Sequence, residues 1–132
     1  GGLNLLKNGR FSTFDIDNSG LVGNVVLEAF HDTDNELWLG TYASGLSRYA
    51  NNTFTNYNIE NGLTNNSIWV IIQEPNTQNI WLGTNGGGII FYSPKLGSSK
   101  SLTQADGLPS DVIQGILYEN ESGATDRTQW SI

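Results

Sequence analysis

The chain has 132 residues, with 6 Lys and Arg against 13 Asp and Glu and a formal charge of −7. That sign argues against a nucleic-acid partner or direct membrane contact, both of which call for basic patches. The lack of cysteine excludes disulfides and thiolate metal sites, and no apolar run reaches the ~18 residues of a membrane helix.

Taken in order, the chain repeats itself. Gly2-Leu3-Asn4-Leu5-Leu6-Lys7-Asn8-Gly9-Arg10-Phe11 aligns without a gap on Gly45-Leu46-Ser47-Arg48-Tyr49-Ala50-Asn51-Asn52-Thr53-Phe54. Glu36-Leu37-Trp38-Leu39-Gly40-Thr41 returns 43 positions later as Asn79-Ile80-Trp81-Leu82-Gly83-Thr84. A Gly-Leu pair marks each copy at Gly20, Gly62 and Gly107, spacings of 42 and 45. A period of this length signals a solenoid or a propeller. The expected division is a partial unit 1–19, complete units 20–61 and 62–106, and a partial unit 107–132. Any export signal is expected outside these residues, because no cationic start leads into an apolar stretch.

Each complete unit reads as four short strands. The first spans Val25 to Phe30 and, one copy on, Ile68 to Ile72. The second spans Leu37 to Thr41 and Ile80 to Thr84; the third, Gly45 to Tyr49 and Gly88 to Tyr92. The fourth spans Thr53 to Ile59, with a degenerate counterpart near Ser99 to Thr103. Asp34-Asn35 and Asn51-Asn52 suit tight hairpins, since Asn and Asp tolerate positive φ. Runs such as Val70-Ile71-Ile72 are apolar at every position, which implies burial on both faces of the sheet. Four-stranded sheets of this period, sandwiched by their neighbours, are propeller blades. The expected class is all-β: a β-propeller segment of antiparallel four-stranded blades. Trp38 and Trp81 then wedge between sheets, and Gly40 and Gly83 give the neighbouring backbone room.

The repeat resembles that of the two-component regulator propellers. The resemblance rests on Gly62-Leu63-Thr64-Asn65-Asn66-Ser67-Ile68-Trp69, then Asn79 to Thr84, then Gly87-Gly88-Ile89 and Tyr92. The copy from Gly20 follows it less closely, with Tyr42-Ala43-Ser44 in place of Asn85-Gly86-Gly87. The last copy departs further: its first strand continues to Tyr118, but Trp130 arrives later than the spacing predicts. The resemblance implies a many-bladed sensor region on the periplasmic or extracellular side of a bacterial membrane protein. It also implies linkage to a histidine kinase, a response regulator or a cyclic-dinucleotide synthase, and, in several members, sensing of oligosaccharides.

Ligands of propellers meet the loops at one mouth of the central channel. Loops joining the fourth strand to the next first strand offer Asn24, Asn65, Asn66, Ser67, Ser110 and Asp111. Loops joining second to third strands offer Tyr42, Ser44, Asn85 and Gly86. Amides, hydroxyls and aromatic rings suit sugar hydroxyls, and Trp69 heads an innermost strand where it offers a stacking surface. The candidate ligand-binding set is Tyr42, Asn65, Asn66, Trp69, Asn85, Ser110 and Asp111. The structural alternative is that the Asn and Ser residues are turn formers and Trp69 is blade packing.

Other chemistry finds little support. Asp15-Ile16-Asp17-Asn18-Ser19-Gly20 opens like a calcium loop but has Val26 where the bidentate Glu belongs. Asp32-Thr33-Asp34-Asn35-Glu36 lies in an expected hairpin, so both acidic runs read as solvated turns. His31 has no nucleophile motif and no second His for a metal pair. Gly86-Gly87-Gly88 leads into a strand and lacks the helix N-terminus of a phosphate loop. A carboxylate pair such as Asp32 and Asp111 would need to converge in space. The segment is expected to bind rather than catalyse, without metal or cofactor. Protein-binding scaffold and propeller lyase or hydrolase are the alternatives.

An arc of about three blades falls short of the four to eight of a closed propeller. The expected partners are therefore the remaining blades of a longer chain or a second copy of this chain, whose complementary ends would swap into a six-bladed ring.

Overall fold

The computed structural model describes residues 1–120 and 126–131, with side chains described as far as Tyr118. Among the described residues twelve strands follow one another: β1 (Leu3–Lys7), β2 (Arg10–Phe14), β3 (Val26–His31), β4 (Leu37–Thr41), β5 (Leu46–Ala50), β6 (Thr53–Tyr57), β7 (Ile68–Gln73), β8 (Ile80–Thr84), β9 (Ile89–Ser93), β10 (Ser98–Leu102), β11 (Gly115–Asn120) and β12 (Asp126–Ser131). Two four-stranded sheets, β3-β4-β5-β6 and β7-β8-β9-β10, stand between the two-stranded sheets β1-β2 and β11-β12. Every pairing is antiparallel. Successive sheets approach most closely at their first strands, β3 against β7 and β7 against β11. This is the all-β arrangement of propeller blades, with first strands innermost.

The hairpins form for a local reason. Asn51 and Asn52 both hold positive φ, 51° and 59°, as do Asn8 and Gly9 at 52° and 75°. Two successive left-handed residues make the turn whose twist matches that of the paired strands.

The fourth strand ends earlier than Thr53 to Ile59. It stops at Tyr57, because Asn58 opens a single 3₁₀ turn, Ile59–Asn61. The Asn58 side chain accepts from the Glu60 N–H, and the Asn61 side chain accepts from the Asn58 N–H. The same box recurs after β10, where Thr103 and Asp106 bracket the turn Gln104–Asp106. Both boxes spend polar side chains on the orphan donors of a turn. The degenerate counterpart near Ser99 to Thr103 is a regular strand, β10, paired along its length with β9.

Between the two complete sheets lies a core of Trp38, Leu46, Leu63, Ile68, Ile71, Ile80, Leu82, Ile90 and Tyr92. Trp38 is fully enclosed, and its Nε1–H donates to Asp32 Oδ2 at 2.8 Å. Arg48 lies over the indole, 5.1 Å from its centroid, and is ion-paired with Glu36. Gly40 and Gly83 admit the next blade's backbone: a β-carbon on Gly40 would stand 2.7 Å from the Ile68 carbonyl oxygen, and one on Gly83 2.9 Å from Ile113 Cγ2. Trp81 is half-buried and meets Phe91 edge-on, centroids 4.5 Å apart.

In the last sheet Trp130 stands opposite Ile116. Trp38 stands opposite Phe30 and Trp81 opposite Ile72. By the repeat alignment Leu117, not Ile116, holds the place of Phe30 and Ile72. The backbone register of Trp130 is therefore one residue out of step with that of Trp38 and Trp81.

Candidate ligand-binding loop face

The two classes of loop interleave at one end of the blades. The Tyr42 N–H donates to the Val25 carbonyl at 2.9 Å, and the Asn85 N–H to that of Ser67 at 3.0 Å. The next blade's loop is stitched on as well: the Ala43 N–H donates to Ser67 Oγ at 3.0 Å, and the Gly86 N–H to the Asp111 carbonyl at 3.0 Å.

One position carries most of this stitching. Asn24, Asn66 and Asp111 are equivalent in the repeat, and each accepts through side-chain Oδ1 from a backbone N–H in the turn before it. The donors are Ile16 at 2.9 Å, Ile59 at 2.9 Å and Gln104 at 2.7 Å. The backbone carbonyl of the same residue accepts from the glycine that opens the preceding third strand: Gly2 at 2.6 Å, Gly45 at 2.7 Å and Gly88 at 2.8 Å. Those glycines have φ of 96°, 104° and 73°, a left-handed backbone that side chains oppose.

The sequence-expected site residues thus fall into two groups. Asn65 Oδ1 accepts from the Ser67 N–H at 2.8 Å, and its Nδ2 donates to the Asn85 carbonyl at 3.3 Å. Ser110, its counterpart, accepts from the Val112 N–H at 3.0 Å. With Asn66 and Asp111, these side chains hold the loops in shape, although Asp111 Oδ2 lies outside that bond. Tyr42 and Asn85 are exposed, and among the described residues neither side chain has an intramolecular hydrogen-bond partner. Trp69 is half-buried on β7, at a register break between Ile68 and Val70. Leu27 sits at the same break in β3, between Val26 and Glu28, and Gln114 is the equivalent position before β11. This repeat position therefore holds an aliphatic, an aromatic and an amide residue in turn.

The acidic runs are occupied locally. Asp15 Oδ1 accepts from the Asp17 and Asn18 N–H groups, both at 2.9 Å, a turn equivalent to those opened by Asn58 and Thr103. Asp32 Oδ1 accepts from Asp34 and Glu36, while its Oδ2 holds the Trp38 indole. No cluster of three or more His, Cys, Asp or Glu suited to a metal exists among the described residues. Asp32 follows the end of β3, whereas Asp111 precedes the inner strand of a different blade. A six-residue strand is roughly 20 Å long, so the two carboxylates stand at opposite ends of the sheets, beyond the spacing of a hydrolytic pair.

A family model for the two-component regulator propeller matches residues 62–86. The unit at residues 62–86 is similar to the repeat of that family. Two solved structures of one extracellular domain from B. thetaiotaomicron are similar to this chain at 26% identity, with TM-scores of 0.61 and 0.60. One is provisionally assigned to a one-component system and the other to a hybrid two-component system. Each match covers 72% of this chain and 13% of the other, so the chain spans only a small part of that domain. No curated protein matches.

On this loop face, three exposed apolar side chains escaped the sequence reading of the site: Ile16 at 53%, Val25 at 55% and Ile59 at 58% exposure. Ile16 and Ile59 each follow a capping residue, Asp15 and Asn58, whose box spacing was the available signal. The buried Thr41 and Thr84 were also missed. Their hydroxyls donate to the Gly45 and Gly88 carbonyls at 2.7 and 2.8 Å, fixing the turns that display Tyr42 and Asn85.

Proposed function

We propose that this chain is part of the extracytoplasmic, non-enzymatic ligand-sensing propeller of a bacterial two-component sensor, and that the loop face reads a small polar molecule such as an oligosaccharide. The observation carrying this reading is the contrast between Asn65, Asn66 and Ser110, which are spent on loop shape, and Tyr42 and Asn85, which are displayed on loops already held rigid. A rigid platform with an exposed phenol, an amide and the Trp69 indole nearby supplies the stacking surface and paired donor and acceptor that sugars require. The family-model match over residues 62–86 and the similar extracellular domains support the sensor setting. Binding at the mouth would favour one arrangement of the sensor across the membrane through its differential affinity for the two.

Calorimetry of the full ectodomain against an oligosaccharide panel tests this. A saturable heat with one class of oligosaccharide, lost in Tyr42→Ala and Asn85→Ala but retained in Asn66→Asp, is the expected result. Silence across the panel overturns carbohydrate sensing. The exposed Ile16, Val25 and Ile59 favour one second reading, a protein-binding scaffold; in that case Ile59→Ser abolishes partner binding and sugars have no effect.

A further inference from the structure

Asn is followed directly by Gly at three places, Asn8-Gly9, Asn61-Gly62 and Asn85-Gly86. Asn is a labile residue, and a following glycine exposes its side-chain amide to attack by the next backbone nitrogen, because no β-carbon hinders the approach. All six residues are exposed, so access to solvent does not separate the three pairs. Their hydrogen bonds do. The Asn61 amide is tied at both ends: Oδ1 accepts from the Asn58 N–H at 2.7 Å, and Nδ2 donates to the Asn56 carbonyl at 3.0 Å. At Asn85 the attacking nitrogen is itself engaged, since the Gly86 N–H donates to the Asp111 carbonyl of the next blade at 3.0 Å. Among the described residues neither the Asn8 side chain nor the Gly9 N–H has an intramolecular hydrogen-bond partner.

Charge separates the pairs as well. Lys7 and Arg10 stand directly opposite each other at the foot of the Asn8-Gly9 turn, a like-charge pair that weakens the end of the hairpin. The Asn61 turn instead carries Glu60. Nearby cations favour an anionic form, here the Gly9 nitrogen as it loses its proton. The exposure of Asn8 belongs to its place in the repeat: the equivalent turn of a complete blade, Asn51-Asn52, is exposed too.

We propose that Asn8 is a modification site, converted to aspartyl and isoaspartyl by spontaneous deamidation, and that the bond between blades shields Asn85 on the loop face from the same change. The Gly9 nitrogen attacks Asn8 Cγ, and the new C–N bond closes a five-membered succinimide. The bond from Cγ to the side-chain nitrogen breaks, and that nitrogen leaves as ammonia, carrying the proton shed by Gly9. One water then opens the ring at either carbonyl. The sum is amide plus water giving carboxylic acid plus ammonia, with no change of oxidation state. The carboxylate formed stands beside Lys7 and Arg10, which replaces repulsion at the turn with attraction. In the isoaspartyl product the main chain gains a methylene, and the two-residue turn loses its geometry.

Peptide mapping by mass spectrometry tests this on the full ectodomain held in mildly alkaline buffer made with heavy-oxygen water, which labels each converted residue. In the folded protein Asn8 should convert at least tenfold faster than Asn61 or Asn85, whereas in urea the three should convert at similar rates. Asn8→Gly keeps a residue suited to the left-handed turn and should abolish the main product. Lys7→Gln combined with Arg10→Gln should slow Asn8 severalfold in the folded protein. Conversion of Asn61 or Asn85 as fast as Asn8 in the folded protein overturns the proposal. So does an Asn8 that stays intact while the chain in urea reacts, and an undiminished rate in the double variant overturns the part given to the two cations.

Discussion

Gly40 faces Ile68 across the boundary between two blades, and a β-carbon at Gly40 would stand 2.7 Å from the Ile68 carbonyl oxygen and 3.0 Å from its Cγ2. Such a contact exists only where two sheets are pressed face to face. In most strands replacing Gly by Ala is neutral or helpful, since Gly loses more backbone freedom on folding. Here the sign reverses. Gly40→Ala should cost about 1–3 kcal/mol, the range for overfilling a packed interior, and urea denaturation reads it directly.

The two indoles of the repeat should differ in weight. Trp38 is fully buried and Trp81 half-buried, so Trp38→Ala should lose about 3–5 kcal/mol and Trp81→Ala clearly less. Asp32→Asn isolates the indole bond. The turn keeps an oxygen acceptor for Asp34 and Glu36, while the Trp38 N–H meets an amide donor, at a cost of about 1–3 kcal/mol. Thermal melts of the three variants, ranked against one another, check this.

Asn66→Ala removes the acceptor of the Ile59 N–H, and a lost turn cap of this kind costs about 0.5–2 kcal/mol. Asn66→Asp should be close to silent, because Asp111 does the same work for Gln104 in the next copy. Amide exchange at Ile59 distinguishes them: fast in the Ala variant, protected in the Asp variant.

Alkali should loosen the boundary between the complete blades. Burial raises the Tyr92 pKa above its ordinary value, the hydrogen bond and field of Tyr57 add to this, and the Arg48 charge opposes it. A phenol whose folded pKa exceeds its unfolded one stabilises the fold fully below the unfolded value, ~10 for Tyr. That contribution is lost as pH rises from there through the folded value. Stability should therefore be level near neutrality and fall above about pH 10, and Tyr92→Phe should flatten that fall in melts taken at stepped pH.

Much of the fold was legible because one pattern is written several times. Leu37–Thr41 and Ile80–Thr84 are the strands the repeat predicts, since Trp, Gly and Thr at fixed spacing mark both ends. The fourth strands were harder to bound. Asn58-Ile59-Glu60-Asn61 looks like the end of a polar strand until its side chains are seen turned back on the backbone. The register of β12 was out of reach, because a lone Trp130 does not specify its partner residue. In the loops, sequence placed Asn65, Asn66, Tyr42 and Asn85 among the candidates but left open which amides face outward. That depends on contacts between blades, such as the one from Ala43 to Ser67, which no local pattern encodes.

The packing of Trp38 against the following blade is measured most directly by nuclear Overhauser effects from its indole protons. The structure predicts strong cross-peaks to the Tyr92 ring, 54 residues away in sequence and 6.0 Å between centroids, and weak or none in Gly40→Ala. An indole that reaches Tyr57 of its own sheet but not Tyr92 would contradict the stacked-blade account.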